Sequence, residues 1–369
     1  MNLDYETLRL LFWVLLLLCL IGFALSEGLL LGVCMLLNIS SKTLDEKQTL
    51  IDSIARVSLG LQTWLVVLVS VLFAAWPGVY AALFASFQSV LLIMLVAWFA
   101  RPLGLYFRSA SNNLQWLQNW DKMLNLGGYI ITVMLGIICG NLLKGVPFHL
   151  DSDMRIIYLG DLWGLLNPFS LLIAAVSVTV FSLYGATYLQ LQTSGQIYLA
   201  SKSTVFKAGI AFIFLFALAG LWITRLEGYH ITSVISPNGV SNPLNKFVKR
   251  SEGLWLDNYE HIPSLWAIPA LVFICAGLTL YFSRLDRCYQ AFLAASVTVV
   301  FMVITVGISM FPFLLPSNRS LNSSLTIWDA SASQNTLAIL LWVLAASLPL
   351  MAIVSRWSFI VWQEKSRVD

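Results

Sequence analysis

Charge is scarce in this 369-residue sequence: Asp, Glu, Lys and Arg together make up 11% of it, against about a quarter in soluble globular domains. Too few charges exist to coat a water-facing surface. With 59% hydrophobic residues and a mean hydropathy of +0.82, a soluble globular protein is excluded and an integral membrane protein remains. Histidine is scarcer still. His149, His230 and His261 all fall between apolar runs, so a bis-histidine haem inside a helix bundle is excluded. Methionine and cysteine stay formally open as ligands, although packing is the commoner use of nine methionines in a membrane protein.

The five cysteines, Cys19, Cys34, Cys139, Cys275 and Cys288, are odd in number and lack any Cys-x-x-Cys spacing, which argues against a disulfide framework and against zinc. A dispersed net charge of +3 gives nucleic acid little to bind. The Gly-rich phosphate loop, the Gly-x-Ser-x-Gly elbow and the His-Glu-x-x-His signature are all missing. Nothing supports a self-contained catalytic site, and no bound metal is expected in this chain.

What the sequence has is long apolar runs: Leu10 to Leu37, Ile54 to Ala75, Val79 to Ala100, Leu126 to Leu143, Leu162 to Leu189, Thr204 to Thr224, Leu265 to Phe282, Ala291 to Phe313, and Leu337 to Ile360. At 1.5 Å per residue each can cross a hydrocarbon core of about 30 Å. The expectation is one all-α, polytopic membrane domain, 1–369, of about nine helices. Its second and third helices form an antiparallel pair around Trp76, Pro77 and Gly78. Asp4 and Glu6 precede a first run longer than a signal-peptide core, so the first helix stays in the mature protein. With the amino terminus outside and the carboxyl terminus inside, 13 Lys and Arg lie on the cytoplasmic side against 8 on the other, as the positive-inside rule asks. The longest connection, 225–264, is then an outer loop between helices 6 and 7.

Of 18 acidic residues, Glu27 alone sits inside a continuous apolar run. A charge at such depth costs about 2.5 to 3.5 kcal/mol on insertion scales unless it is paired, neutral or facing water, and intramembrane acids often serve ion or proton paths. Two readings stand: a proton-path carboxylate, or a snorkelling or capping side chain. Arg101, at the inner end of the third run, either pairs with Glu27 or anchors to lipid phosphate. Asp329 is placed to cap the ninth helix.

Polar islands punctuate the helix ends: Phe73-Ala74-Ala75-Trp76-Pro77, Arg101-Pro102 with Arg108-Ser109, Gly140 to Phe148, Leu166-Asn167-Pro168-Phe169, Gly185 to Gln190, Ser241 to Lys246, Leu265 to Leu271, Met310-Phe311-Pro312-Phe313, and Leu325-Thr326 with Trp328-Asp329-Ala330. Taken in this order across the chain, they resemble subunit II of the cytochrome bd-type ubiquinol oxidases. The resemblance implies two four-helix bundles plus one peripheral helix, in a bacterial inner membrane. It implies pairing with a haem-bearing subunit I that carries haems b and d and the quinol site, and it allows small accessory subunits and a bound quinone or lipid. No cofactor of its own is implied. In that family subunit II stabilises the haem subunit and lends part of a cytoplasmic proton route for the reduction of dioxygen to water.

This sequence departs from the family at three acids. Leu30, Leu59 and Tyr106 occupy positions where carboxylates are usual. The residual candidates for a proton path are Glu27 and Asp121, with Ser58 and Gln62 as water-holding neighbours, and Arg101 and Arg108 as ion-pair or lipid residues. Two alternatives remain open: a scaffold-only subunit, and a secondary ion-coupled transporter with Glu27 at its site.

Overall fold

A backbone surrounded by hydrocarbon must satisfy its own N–H and C=O groups, so the apolar runs become helices. The computed structural model describes residues 3–111 and 113–365 and, within them, all side chains but those of 55–61, 355 and 357–365. The chain runs through α1 (Tyr5–Leu36), α2 (Leu44–Ala75), α3 (Pro77–Ser86), α4 (Gln88–Phe107), α5 (Leu114–Lys144), α6 (Leu162–Leu165), α7 (Pro168–Gln192), α8 (Gly195–Ile223), α9 (Asp257–His261), α10 (Ala267–Arg284), α11 (Cys288–Met310) and α12 (Gln334–Lys365). Among the described residues, eight helices are long and apolar enough to span a membrane, or nine if the bent pair Gln62–Ala75 and Pro77–Ser86 counts as one span.

Helix starts follow local chemistry. Thr43 accepts from the Glu46 amide while Glu46 reaches back to the Thr43 amide, a capping box that opens α2. Asn113, Asp161 and Asn167 cap α5, α6 and α7 through side-chain oxygens. The expected antiparallel pair at Trp76 is replaced by a different geometry. The chain bends 119° between α2 and α3, and the third crossing starts afresh at Gln88. Proline at the first position of α3 suits a helix start, where its missing N–H costs no bond. The fifth apolar run is likewise interrupted, because Asn167 and Pro168 begin α7 after the single turn of α6.

Packing sorts the spans into two groups. Helices α7, α8, α10 and α11 close into a four-helix bundle, whereas α2, α1, α5 and α4 lie as successive neighbours. Helices α1 and α5 join the groups by packing on α7, and α12 lies outside against α2 and α1. The α1–α7 crossing is close because a Cβ on Gly185 would lie 2.5 Å from the Gly32 carbonyl carbon. From Ser26 to Leu36 every residue of α1 is buried, so its second half is the axis of the molecule.

One end carries three antiparallel hairpins: β1 (Phe148–Leu150) with β2 (Ile156–Tyr158), β3 (Glu227–Ile231) with β4 (Val248–Glu252), and β5 (Phe313–Leu315) with β6 (Leu325–Thr326). The long connection is therefore ordered as a hairpin followed by the turn of α9. His149, His230 and His261 all lie here, on β1, β3 and α9. Short turns make up the opposite end, called the plain end below.

Candidate functional site

The buried charged residues of the first group of helices come from α1, α2, α4, α5 and the turn after α4, and they form two clusters. Glu27 on α1 and Arg101 on α4 form an ion pair, and the side chains are only 1% and 3% exposed. This pair ties α4 to the central helix, while the broader packing of α4 is against α5. The Arg101 guanidinium also lies 5.9 Å from the Trp98 ring, and Trp98 packs 6.2 Å from Phe23 of α1. A lipid-phosphate role for Arg101 does not fit an interior position.

Nearer the plain end, Asp121 of α5 is fully buried between two cations. Arg108 Nε donates to its Oδ1 at 2.7 Å, and Lys47 Nζ lies 3.4 Å from Oδ2. Arg108 donates a further bond to Gln48. Lys47 and Gln48 sit on the first turns of α2, so the cluster fastens the amino-terminal part of α2 to the end of α4 and to α5. One turn along α5, Asn125 Nδ2 donates to the carbonyls of Cys34 and Met35 at 3.0 and 2.8 Å. Gly128 follows, and a Cβ there would meet Cys34 Cβ at 2.9 Å. Polar side chains thus line α5 from Asp121 to Asn125, and tight apolar packing takes over before Glu27 is reached.

Of the residues singled out in the sequence, Glu27 with Arg101 and Asp121 with Arg108 are brought together as two separate ion pairs. Gln62 is half-buried on α2 and makes no hydrogen bond to Glu27 among the described residues. The side chains of Ser58, Leu59 and Arg56, and the tail residue Arg367, lie outside the described residues. Leu30 is fully buried in the apolar core, while Tyr106 is 73% exposed. Among the described residues no group of three His, Cys, Asp or Glu is placed to hold a metal ion.

Asp329 does not cap the last helix. It accepts from the Thr326 amide at 3.0 Å and the Thr326 hydroxyl at 2.7 Å, and it pairs with Lys246 Nζ at 2.8 Å. The cap falls to Ser333, whose Oγ accepts from the Thr336 amide at 3.3 Å. Burial pushes Asp329 above the usual carboxylate range and Lys246 below the usual amine range, each opposed by the charge of the other.

Sequence reasoning missed a fully buried cation at the hairpin end, Arg9. Arg9, fully buried, donates from Nε to Ser331 Oγ at 2.8 Å and from Nη2 to the Gly239 carbonyl at 3.1 Å and Ser241 Oγ at 2.8 Å. A further bond goes to the Pro237 carbonyl, and the Tyr5 ring lies 3.6 Å from the guanidinium carbon. The start of α1 is thereby fastened to the turn at 237–241 in the long connection. The only sequence signal was an arginine on the threshold of the longest apolar run, one helical turn after a tyrosine.

Comparison with known proteins places these features in a family. The sequence model described as "Cytochrome bd terminal oxidase subunit II" matches residues 8–362. The chain is 40% identical over 366 residues to cytochrome bd-I ubiquinol oxidase subunit 2 of Escherichia coli (strain K12), covering 99% of this chain and 96% of that one. It is 36% identical over 356 residues to the probable cytochrome oxidase subunit 2 of Haemophilus influenzae, covering 96% and 94%. Its fold matches a chain in the structure of bd oxidase from Geobacillus thermodenitrificans with a TM-score of 0.67 at 13% identity, over 100% of both chains.

Proposed function

The chain belongs to the cytochrome bd terminal oxidase subunit II family, and from that premise we propose that it is the haem-free partner of a haem-bearing subunit I in a bacterial quinol oxidase. The complex takes electrons from quinol and reduces dioxygen to water; this chain holds its partner in the membrane. Absence of any histidine at membrane depth supports the haem-free reading, since His149, His230 and His261 all stand on hairpin-end elements. The hairpin end is the periplasmic face and the plain end the cytoplasmic one, which follows the distribution of Lys and Arg.

Within that role the observation that carries the most is the Glu27–Arg101 pair. A carboxylate buried with its counter-ion, with Leu30 packed on the same helix where a second acid is usual in the family, is suited to clamping helices and poorly suited to passing protons. The acids of this subunit are structural ties, and protons reach the haems through the partner. The second reading, a proton branch ending at Glu27, is favoured by the polar series from Lys47 and Gln48 through Asp121 to Asn125. Glu27→Gln separates the two. As a clamp, it lowers the yield of assembled oxidase while charge moved per dioxygen in each assembled complex is unchanged. A drop in charge per dioxygen at full assembly would establish the branch instead.

A further inference from the structure

The plain end of the second bundle carries four cations, Lys202, Lys207, Arg284 and Arg287, against one carboxylate, Asp286. That carboxylate is already engaged. Lys202 pairs with it, and Tyr198 donates to it at 2.6 Å. Among the described residues Arg287 reaches Gln290, at 3.5 Å, and no carboxylate. Arg284 and Lys207 have no carboxylate partner among the described residues. They stand at one level of the bundle: the Arg284 guanidinium lies over the Phe206 ring at 4.7 Å, and Lys207 follows Phe206 in the sequence of α8, with its exposed side chain on an adjoining part of the helix surface. Stacking on a ring holds the guanidinium in place while leaving its edge donors free.

Depth decides what such a pair can meet. Helix α8 has 29 residues, about 43 Å, so it overruns a hydrocarbon core of about 30 Å. Lys207 stands 16 residues before the hairpin-end terminus Ile223, or about 24 Å, and its flexible stem can carry the ammonium the remaining distance to the headgroups. Arg284 closes the 18 residues of α10, about 27 Å from its start. Both cations therefore reach one headgroup layer, on the outer face between α8 and α10. Exposed apolar side chains stand beside them: Ile210 and Phe214 on α8, and Leu278 and Tyr281 on α10. That arrangement offers acyl chains a surface next to a doubly positive headgroup seat.

We infer that Lys207 and Arg284, with Phe206 as platform, form a binding site for the phosphodiester headgroup of an anionic phospholipid in the plain-end leaflet. The inference does not depend on the oxidase reading, since it uses only charge, depth and the stacked guanidinium. Each cation at a membrane surface favours an anionic headgroup by about fivefold, so the pair favours it by about 25-fold.

The test uses the assembled complex in phosphatidylcholine bilayers doped with a photoactivatable phosphatidylglycerol, with cross-linked peptides mapped by mass spectrometry. Label is expected on the segments around 203–214 and 278–287, and a photoactivatable phosphatidylcholine should label them far less. Lys207→Gln with Arg284→Gln should cut the phosphatidylglycerol label by about 25-fold and either substitution alone by about fivefold, while Lys207→Arg with Arg284→Lys should keep it. Equal labelling by the two lipids in the unsubstituted complex would overturn the site without any variant having to assemble. So would a label that survives the double glutamine change. Inorganic phosphate at matched ionic strength should leave the label intact; displacement by it would mean that the seat reads free phosphate and not a lipid.

Discussion

Replacing Arg101 with leucine leaves the Glu27 carboxylate buried without its counter-ion, in an interior where the pair is 1% and 3% exposed. Breaking a buried pair from one side costs about 3 to 5 kcal/mol, because the remaining charge keeps its desolvation penalty and loses its partner. Glu27→Leu alone does the same to Arg101. The double change Glu27→Leu with Arg101→Leu removes both charges, and well-packed apolar replacements of such pairs are often neutral or stabilising. Each single variant should therefore lose most of its assembled oxidase, or unfold at a clearly lower temperature in detergent, whereas the double variant should recover toward the parent. The coupling between the two sites should be on the order of 3 kcal/mol or more, well above the 0.5 kcal/mol within which independent sites add. Assembly is read from the haem spectrum of the purified complex, and thermal stability from loss of that complex on heating. Function is read as charge moved per dioxygen in proteoliposomes. Additive losses would refute the clamp, and so would a rescued double variant that assembles fully yet moves less charge than the parent.

Two other outcomes follow from the ends of the molecule. Arg9→Leu strips the turn at 237–241 of three donated bonds and leaves those acceptors to water, so limited proteolysis should cut between 232 and 247 much faster while the spans stay protected; an unchanged cleavage rate would mean that the turn holds itself. Lys202 and Tyr198 hold the Asp286 carboxyl below its ordinary value, so the tie between α8 and the α10–α11 turn is present above the unfolded value and is lost as pH falls through the lower folded one. Amide exchange at 284–288, corrected for intrinsic rate, should rise over that acidic interval in the parent and be raised at all pH values in Lys202→Gln.

Hydropathy made the spans legible, because hydrocarbon imposes one answer on a long apolar run. It could not show where a run breaks inside itself. Trp76-Pro77-Gly78 reads as a tight turn, yet the chain leaves it as α3 at 119° to α2 and restarts at Gln88, a geometry set by packing on the hairpins. Glu27 stood out because its depth is a one-dimensional property, and the candidate partner Arg101 was visible for the same reason. Asp121 was chosen for its neighbourhood in sequence, but its clasp by Lys47 and Arg108 joins residues 74 and 13 positions away. Arg9 and the Lys246–Asp329 pair were missed as pairings. They join the start of α1 and the loop before α12 to the long connection, over separations of 228 to 322 residues for Arg9, and no periodicity records such contacts.

Leu30 and Tyr106, two of the positions at which the resemblance implies acids, bear on whether a proton branch is continuous within the subunit; the side chain of the third, Leu59, lies outside the described residues. Leu30 is fully buried and belongs to the main apolar cluster, beside a helix face where Gly28 packs against Phe181. Tyr106 faces outward, on the opposite side of α4 from Arg101 by helical periodicity, and is 73% exposed. An aspartate restored at 106 would therefore meet lipid, headgroups or the partner, and one restored at 30 would meet the interior. Leu30→Asp places a charge in that interior at about 2.5 to 3.5 kcal/mol on insertion scales, and it also removes a buried leucine whose loss costs about 2 to 5 kcal/mol. If the acids here are only ties, Leu30→Asp lowers assembly, and the complexes that do form reduce dioxygen and move charge no faster than the parent. A gain in charge per dioxygen would mean instead that Glu27 still stands in a proton path to which leucine is the plug. Assembly and charge are measured on the same preparation, so a variant that merely folds badly is distinguished from one that conducts.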